Sequence, residues 1–300
     1  MRILQFGTTG QLARALLRET VARPDISLIA LSRSDADFNQ LGHVAEAVHS
    51  AKDADVVVNA VAYTAVERAE TDEDVAQRVN AESVGTLART CAMRNIPLIH
   101  VSTDYVFDGR KTGAYVETDP PYPLSAYGRS KLAGEEAIRQ AGGYHAILRT
   151  SWVYSAGGTN FLTTMLRLGK ERDELRIVDD QHGAPTAADD LARVIITMAE
   201  RLAYEPDTRH CGTFHYCNDG ETTWRRFAEA IFEEAGPDMN IRARIIPIPA
   251  VDYPLSAQRP MNSRLDCRKI ETVYGLERPH WRTSLARIMT EMKALRGRDA

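Results

Sequence analysis

The reading turns on two linked pieces of sequence, IPLIHVSTDYVFDG (Ile96–Gly109) and YVETDPPYPLSAYGRSKLAGEE (Tyr115–Glu136). The first is an apolar run that stops at Ser102-Thr103-Asp104, as a buried strand does when it reaches the edge of its sheet. The second opens a helix carrying Tyr127 and Lys131. Residues four apart on a helix share one face, roughly 6 Å apart along the axis. A phenol beside a held ammonium is a proton donor whose pKa is pulled below about 10. Thr103, at the end of the neighbouring strand, supplies a third polar contact. Together these groups suit the movement of a proton on or off a carbonyl or alcohol, and such chemistry needs a hydride partner elsewhere in the chain.

The N-terminus offers one. Arg2–Phe6 reads as a strand, Gly7-Thr8-Thr9-Gly10-Gln11-Leu12-Ala13 as a Gly-rich turn, and the following residues to Ala22 as a helix. This is the phosphate-binding corner of a dinucleotide fold. Gly7 permits the tight turn, Gly10 lets backbone approach a pyrophosphate, and Ala13 takes the third small position. The free N–H groups at the helix start would receive the anion. The second strand, Ile26–Leu31, ends in Ser32-Arg33. Those residues suit a 2′-phosphate better than the free ribose hydroxyls of NAD, although Asp35 and Asp37 lie close by. The expected cofactor is NADPH, with NADH as the alternative.

Asp55–Ala60 is nearly all apolar, as a parallel strand buried on both faces should be. It runs into Ala60-Val61-Ala62-Tyr63-Thr64, where small residues let backbone pass close to a cofactor. A long helix is expected from Asp74 to Arg94, with Asn80 in a structural role. The Gly- and Pro-rich stretch 109–127 is expected to be a loop over the site. Tyr144–Arg149 is a further strand, and Thr186 a candidate N-cap before Asp189 and Asp190, whose charge suits a helix start. The alternation predicts an α/β protein, a Rossmann-like doubly wound parallel sheet with a smaller α/β C-terminal lobe. The dinucleotide-binding domain is placed at 1–150, with the chain returning to it around 177–203. Residues 151–176 and 204–300 are assigned mainly to a substrate lobe.

Bulk properties narrow the function. The 300 residues carry a net charge of -4, which calls for neither nucleic acid nor an anionic membrane. The start MRILQFG reads as a core strand and not a signal peptide, and no apolar run approaches a membrane span. Cys91, Cys211, Cys217 and Cys267 show no zinc spacing and read as reduced thiols. A cytoplasmic location follows as the expectation.

Taken together, the Gly7–Gly10 corner, Thr103 at a strand end and Tyr127-Gly-Arg-Ser-Lys131 resemble the extended short-chain dehydrogenase/reductases. Finer motifs resemble the dTDP-4-dehydrorhamnose reductase branch: AYTAVERAE (62–70), STDYVFDG (102–109), TSWVY (150–154), DQHGAPT (180–186) and RPMNSRLD (259–266). The resemblance covers nearly the whole chain. It implies NADPH-dependent reduction of the 4-keto group of dTDP-4-dehydro-L-rhamnose. It places the pyrophosphate on Gly7, Gly10, Gln11 and Leu12, the adenine by Asp37 and Phe38, and the ribose side along Ala60, Ala62, Tyr63 and Thr64. Thr103, Asp104, Trp152, Asn160, Arg259 and Ser263 would meet the sugar nucleotide. Tyr127 would be the general acid, Lys131 would hold the nicotinamide ribose and lower the phenol's pKa, and Thr103 would donate to the carbonyl oxygen.

Related dehydratases place Asp-Glu after the Thr, whereas here Asp104-Tyr105 follows. Epimerases or other ketoreductases of the fold, and a non-catalytic NADP-binding subunit, are the competing readings. Some relatives bridge a dimer through a metal held by acidic residues. Asp189 and Asp190 offer half of such a site, but Arg14 and Ala15 add no carboxylate, so no metal is expected. Monomer and homodimer both stay open.

Overall fold

The structure is a computed structural model that describes residues 1–296 except 206 and 254. Its N-terminal half alternates strands and helices: β1 (Arg2–Phe6), α1 (Gln11–Val21), β2 (Ser27–Leu31), α2 (Leu41–Ser50) and β3 (Val56–Asn59). There follow α3 (Val66–Ala69), α4 (Glu73–Gln77), α5 (Ser83–Met93), β4 (Leu98–Thr103), α6 (Ala126–Ala141) and β5 (His145–Thr150). The second half holds β6 (Val153–Tyr154), α7 (Phe161–Glu171), β7 (Glu174–Val178), β8 (His182–Gly183), β9 (Thr186–Ala187) and α8 (Ala188–Tyr204). It ends with β10 (Gly212–His215), β11 (Thr222–Thr223), α9 (Trp224–Ala235), β12 (Arg244–Ile248), α10 (Arg268–Tyr274) and α11 (Trp281–Arg296).

Six strands form one parallel sheet in the order β10-β5-β4-β3-β1-β2. The order reverses direction at β1, so β1 and β3 flank a topological switch point, where α/β sheets bind ligands at the strand carboxyl ends. Successive apolar residues serve opposite faces, because strand side chains alternate. On one face Ile3, Val56, Val58 and Ile99 pack against Leu16 of α1 and Leu191 and Ile195 of α8. On the other, Leu4, Phe6, Val57 and Ile147 meet Val44 and Val48 of α2, Leu87 of α5 and Ile138 of α6. A third cluster makes the smaller lobe, with Leu162 and Leu166 of α7, Phe227 and Ile231 of α9, and Leu285 and Ile288 of α11. There β7 pairs with β12.

Several local expectations need correction. β10, assigned from sequence mainly to the lobe, hydrogen-bonds to β5 in the main sheet, and Ile270 and Tyr274 of α10 join the first cluster. The helix expected from 74 to 94 is interrupted by a π turn at Arg78–Glu82. Asn80 sits in that turn, fully buried, and accepts the Tyr63 N–H while donating to Tyr63 O and the Ser130 hydroxyl. A Cβ at Gly134 of α6 would strike the Asn80 carbonyl, so the close approach of α6 to the turn at that point needs a glycine. Thr186 does not cap α8: the N-cap is Ala187, and the Thr186 hydroxyl is buried without a partner among the described residues. Instead the Ala187 N–H is accepted by Asn218.

Candidate active site

Two chambers meet at the switch point. One, of about 470 Å³, is walled by Gly10, Gln11, Leu12, Ala60, Thr103, Tyr127, Lys131 and Trp152 among others. The other, of about 690 Å³, is walled by Gly7, Ser32, Arg33, Asp37, Phe38 and Tyr63. Both share Thr9, Gly10, Ala60, Val61, Ala62 and Thr64, so they form one cleft along the strand ends.

The corner at residues 7–13 is shaped to take an anion. Gly7 has φ +98°, which side-chain-bearing residues rarely adopt. Gly10 begins α1 in extended conformation with no side-chain cap, and a Cβ there would meet nothing within 4 Å. The helix also carries no acidic residue in its first turn. Its first N–H groups therefore face the cleft with no side chain offered to them, a fit for a dinucleotide pyrophosphate. The Gln11 side chain, by contrast, reaches the lobe. It donates to Val153 O at 3.2 Å and accepts from the Ser155 hydroxyl at 2.9 Å.

At the far end of β2 the two acidic residues are already engaged. Asp35 accepts from the Ser32 N–H and hydroxyl, and Asp37 from the Asn39 N–H and side-chain amide. These bonds hold both carboxyls below their usual range, most strongly the Ser32 hydroxyl for Asp35 and the Asn39 N–H for Asp37. Arg33 lies 3.4 Å from Asp37 with its guanidinium largely in solvent.

Thr103, Tyr127 and Lys131 come together as the spacing predicts. α6 starts at Ser125, whose hydroxyl accepts the Gly128 N–H, and Glu70 accepts the Ala126 N–H at 2.8 Å. Thr103 Oγ1 lies 3.1 Å from Asp104 Oδ1 and accepts the Tyr105 N–H. The Tyr105 ring packs edge-on against Tyr127, centroids 5.6 Å apart. Farther along α6, Glu135 is buried and bound by Arg149 of β5 and the Ser102 hydroxyl.

The electrostatics differ from expectation. The Tyr127 phenol is raised, not lowered. Lys131 Nζ lies 2.7 Å from Val101 O and 3.1 Å from His100 Nε2. Burial pushes the Tyr127 phenol up to about 12, with the Thr103 hydroxyl offsetting part and the nearby Asp104 adding to the rise. Burial also brings Lys131 down to about 8, against the pull of Glu135. Asp104 is raised to about 6 by burial, and its Oδ2 has no hydrogen-bond partner among the described residues.

The other anticipated substrate contacts are divided. Trp152, at φ +47°, walls the first chamber and stacks on Trp224 at 3.6 Å. Asn160 does not line it. Its side chain caps α7, accepting the Thr163 N–H and donating to Ser155 O and Gly157 O. Arg259 is held by Glu67 of α3 at 3.1 Å, and Ser263 is buried facing Asp104. The loop 109–125 does not cover the cleft. It packs on the 260–265 segment, where Tyr115 bridges to Leu265 and a Cβ at Gly109 would lie 2.6 Å from Met261 N.

Asp189 and Asp190 are taken by guanidinium groups. Asp189 pairs with Arg18, and Asp190 with Arg193 and Arg287, with Ser284 and Asn218 also donating to it. That set does not fit a cation, which would need those oxygens free. Asn59, His100, Glu67 and Glu70 join the site without having been assigned a role from the residues alone. The one available signal was His100, a lone polar residue inside an apolar strand.

A family model described as the RmlD substrate binding domain matches residues 1–294. The chain belongs to that family. A Sinorhizobium fredii protein named dTDP-4-dehydrorhamnose reductase is 42% identical over 300 residues, covering 100% of both chains. An Escherichia coli K12 protein of the same name is 39% identical, covering 97% of this chain and 98% of its own. A Bacillus anthracis dTDP-4-dehydrorhamnose reductase solved in complex with NADP superposes with TM-score 0.88 at 32% identity, over 97% of this chain and 99% of that one.

Proposed function

We propose that this protein is an oxidoreductase that reduces the 4-keto group of dTDP-4-dehydro-L-rhamnose to the alcohol, giving dTDP-L-rhamnose. The observation that carries the reading is the convergence of Thr103, Tyr127 and Lys131 on a cleft that continues to the uncapped start of α1. When bound, the nicotinamide cofactor supplies the hydride. Thr103 donates its hydroxyl proton toward the ketone oxygen, where negative charge develops. Tyr127 delivers the proton. A phenol held near 12 stays protonated at neutral pH and is still more acidic than most alcohols, as a general acid for an alkoxide must be. Tyr105 fills the position beside Tyr127 where an eliminating enzyme of this fold would set a second carboxylate. The intact proton-donor set argues against a subunit that only binds cofactor.

NADPH is the preferred donor in this reading. Asp35 and Asp37 are occupied by their own neighbours, whereas the largely solvent-facing guanidinium of Arg33 offers donors to a 2′-phosphate. Trp152 would flank the nucleotide sugar. The division into a dinucleotide domain and a substrate lobe is part of the same proposal, with Trp152 at the start of the lobe.

The test is turnover of dTDP-4-dehydrorhamnose with NADPH, followed as loss of reduced-nicotinamide absorbance and by NMR of the product. Tyr127→Phe should lower kcat by roughly 10²–10⁴-fold while NADPH still binds. A folded Tyr127→Phe protein with full turnover would remove Tyr127 from the mechanism. A wild-type protein inert on the keto sugar would overturn the reaction itself.

A further inference from the structure

Behind the cleft wall four polar contacts form one continuous chain. The Val61 N–H donates to Asn59 Oδ1 at 2.9 Å. The other end of that amide, Asn59 Nδ2, lies 3.0 Å from His100 Nδ1. His100 Nε2 lies 3.1 Å from Lys131 Nζ, and Lys131 donates to Val101 O at 2.7 Å. Asn59, His100 and Lys131 are all essentially sealed from solvent. Val61 itself walls both chambers of the cleft.

Donor and acceptor bookkeeping fixes the protons. The Val61 N–H needs Oδ1, so Asn59 turns its NH₂ toward His100, and Nδ1 must be the bare nitrogen. A neutral imidazole then carries its proton on Nε2, aimed at Lys131. For that contact to be a hydrogen bond, Nζ must present a lone pair. Charging Lys131 would remove the lone pair and move the imidazole proton to Nδ1. The Asn59 amide would then have to turn over and leave the partly buried Val61 N–H facing its NH₂.

We propose that His100, oriented by Asn59, is a positioning residue that favours the hydrogen-bonded neutral amine of Lys131 over its ammonium in the free protein. This rests on the reading of Lys131 as the cofactor-site lysine given above. His100 itself is kept neutral by burial, and Lys131 is already displaced downward by burial. The remaining ionisable groups around Lys131 are Glu135 one turn along α6, held by Arg149 of β5, and Tyr127, Tyr105, Asp104 and Arg14 of the cleft wall. Among these Glu135 favours the charged lysine, so the wiring through His100 opposes it.

Asn59→Asp tests the wiring with almost no change of shape. Both carboxylate oxygens accept, so one keeps the Val61 N–H and the other accepts a hydrogen bond from a protonated Nδ1, leaving Nε2 to accept from an ammonium. The alkaline limbs of kcat/KM and of NADPH affinity, the latter by fluorescence titration, should then move up by about one pH unit or more. Adding His100→Phe should abolish most of that shift. An equal shift with and without His100 would mean that the new charge acts alone, and would overturn the proposal, as would no shift in Asn59→Asp. Nitrogen-15 NMR of histidine-labelled wild-type protein reads the tautomer directly, with His100 assigned by its response to Asn59→Asp. Protonated Nε2 and bare Nδ1 at a pH above the Lys131 midpoint are expected, and the reverse tautomer overturns the inference. The titration and the NMR need no turnover. A protein inert on the keto sugar would therefore fail the proposed reaction and leave this measurement decisive.

Discussion

Two helices begin beside the same cleft, and they begin in opposite ways. α7 opens with Asn160, whose side chain and Thr163 form a reciprocal capping box that satisfies the first turn. α1 opens with Gly10, which offers no side chain at all. A helix start leaves backbone N–H groups without partners, and a chain either fills that need itself or leaves it for a ligand. Here the filled end belongs to the lobe and the unfilled end to the cofactor corner. A polar residue at a helix start is therefore a poor guide to binding, and a missing one is a better guide.

The comparison is broken most strongly by giving α1 the cap it lacks. Gly10 has φ -68° and open space around its Cβ position, so Gly10→Asp should fold without strain. Its carboxylate would cap the helix and lie where the pyrophosphate is proposed to sit. NADPH affinity should fall at least ~100-fold, as like charges brought together cost several kcal/mol, while the melting temperature stays level or rises. Unchanged affinity by fluorescence titration would move the pyrophosphate away from this helix.

A smaller effect is expected at the other end of the cofactor cleft. Arg33→Ser should raise KM for NADPH by roughly 10-fold or more and leave KM for NADH nearly unchanged, since a charge-assisted hydrogen bond contributes about 1.5–3 kcal/mol. Parallel changes for both cofactors would detach Arg33 from the 2′-phosphate.

The smallest effect sharpens the comparison from the lobe side. Asn160→Ala removes a cap worth about 1 kcal/mol and should lower the melting temperature by about 2–4 °C. Its kcat/KM should stay within about 3-fold of wild type if Asn160 only caps. A loss above about 10-fold with an unchanged melting temperature would return Asn160 to the substrate site.

These contrasts show what was legible in the residues. The sheet and its phosphate corner were, because Val56–Asn59 and Leu98–Thr103 must be apolar when both sheet faces are covered, and because Gly7 answers a positive φ. The Tyr127–Lys131 pair was legible as a spacing. What Lys131 touches was not, since that depends on His100 two strands away from Gly7 and on how far burial outweighs charge. The capping role of Asn160 was not legible because a cap and a ligand contact use the same side chain. The π turn at Asn80 was hidden because its residues are ordinary helix formers, and the extra backbone width comes from contacts with Tyr63 and Ser130 on other segments. The placement of β10 was equally hidden, because a short strand carries no mark of which sheet it will join.

One further consequence follows from how α6 is held. Glu70 and Ser125 fix its first turn, the π turn presses on it at Gly134, and the Glu135–Arg149 pair nails its middle to β5. Breaking a buried pair of that kind costs about 3–5 kcal/mol, so thermal motion will not loosen it often. Tyr127, the proposed proton donor, is thus carried on a firmly held helix. Any approach that brings ketone and phenol to reacting distance must be made by the incoming sugar and the walls that carry it.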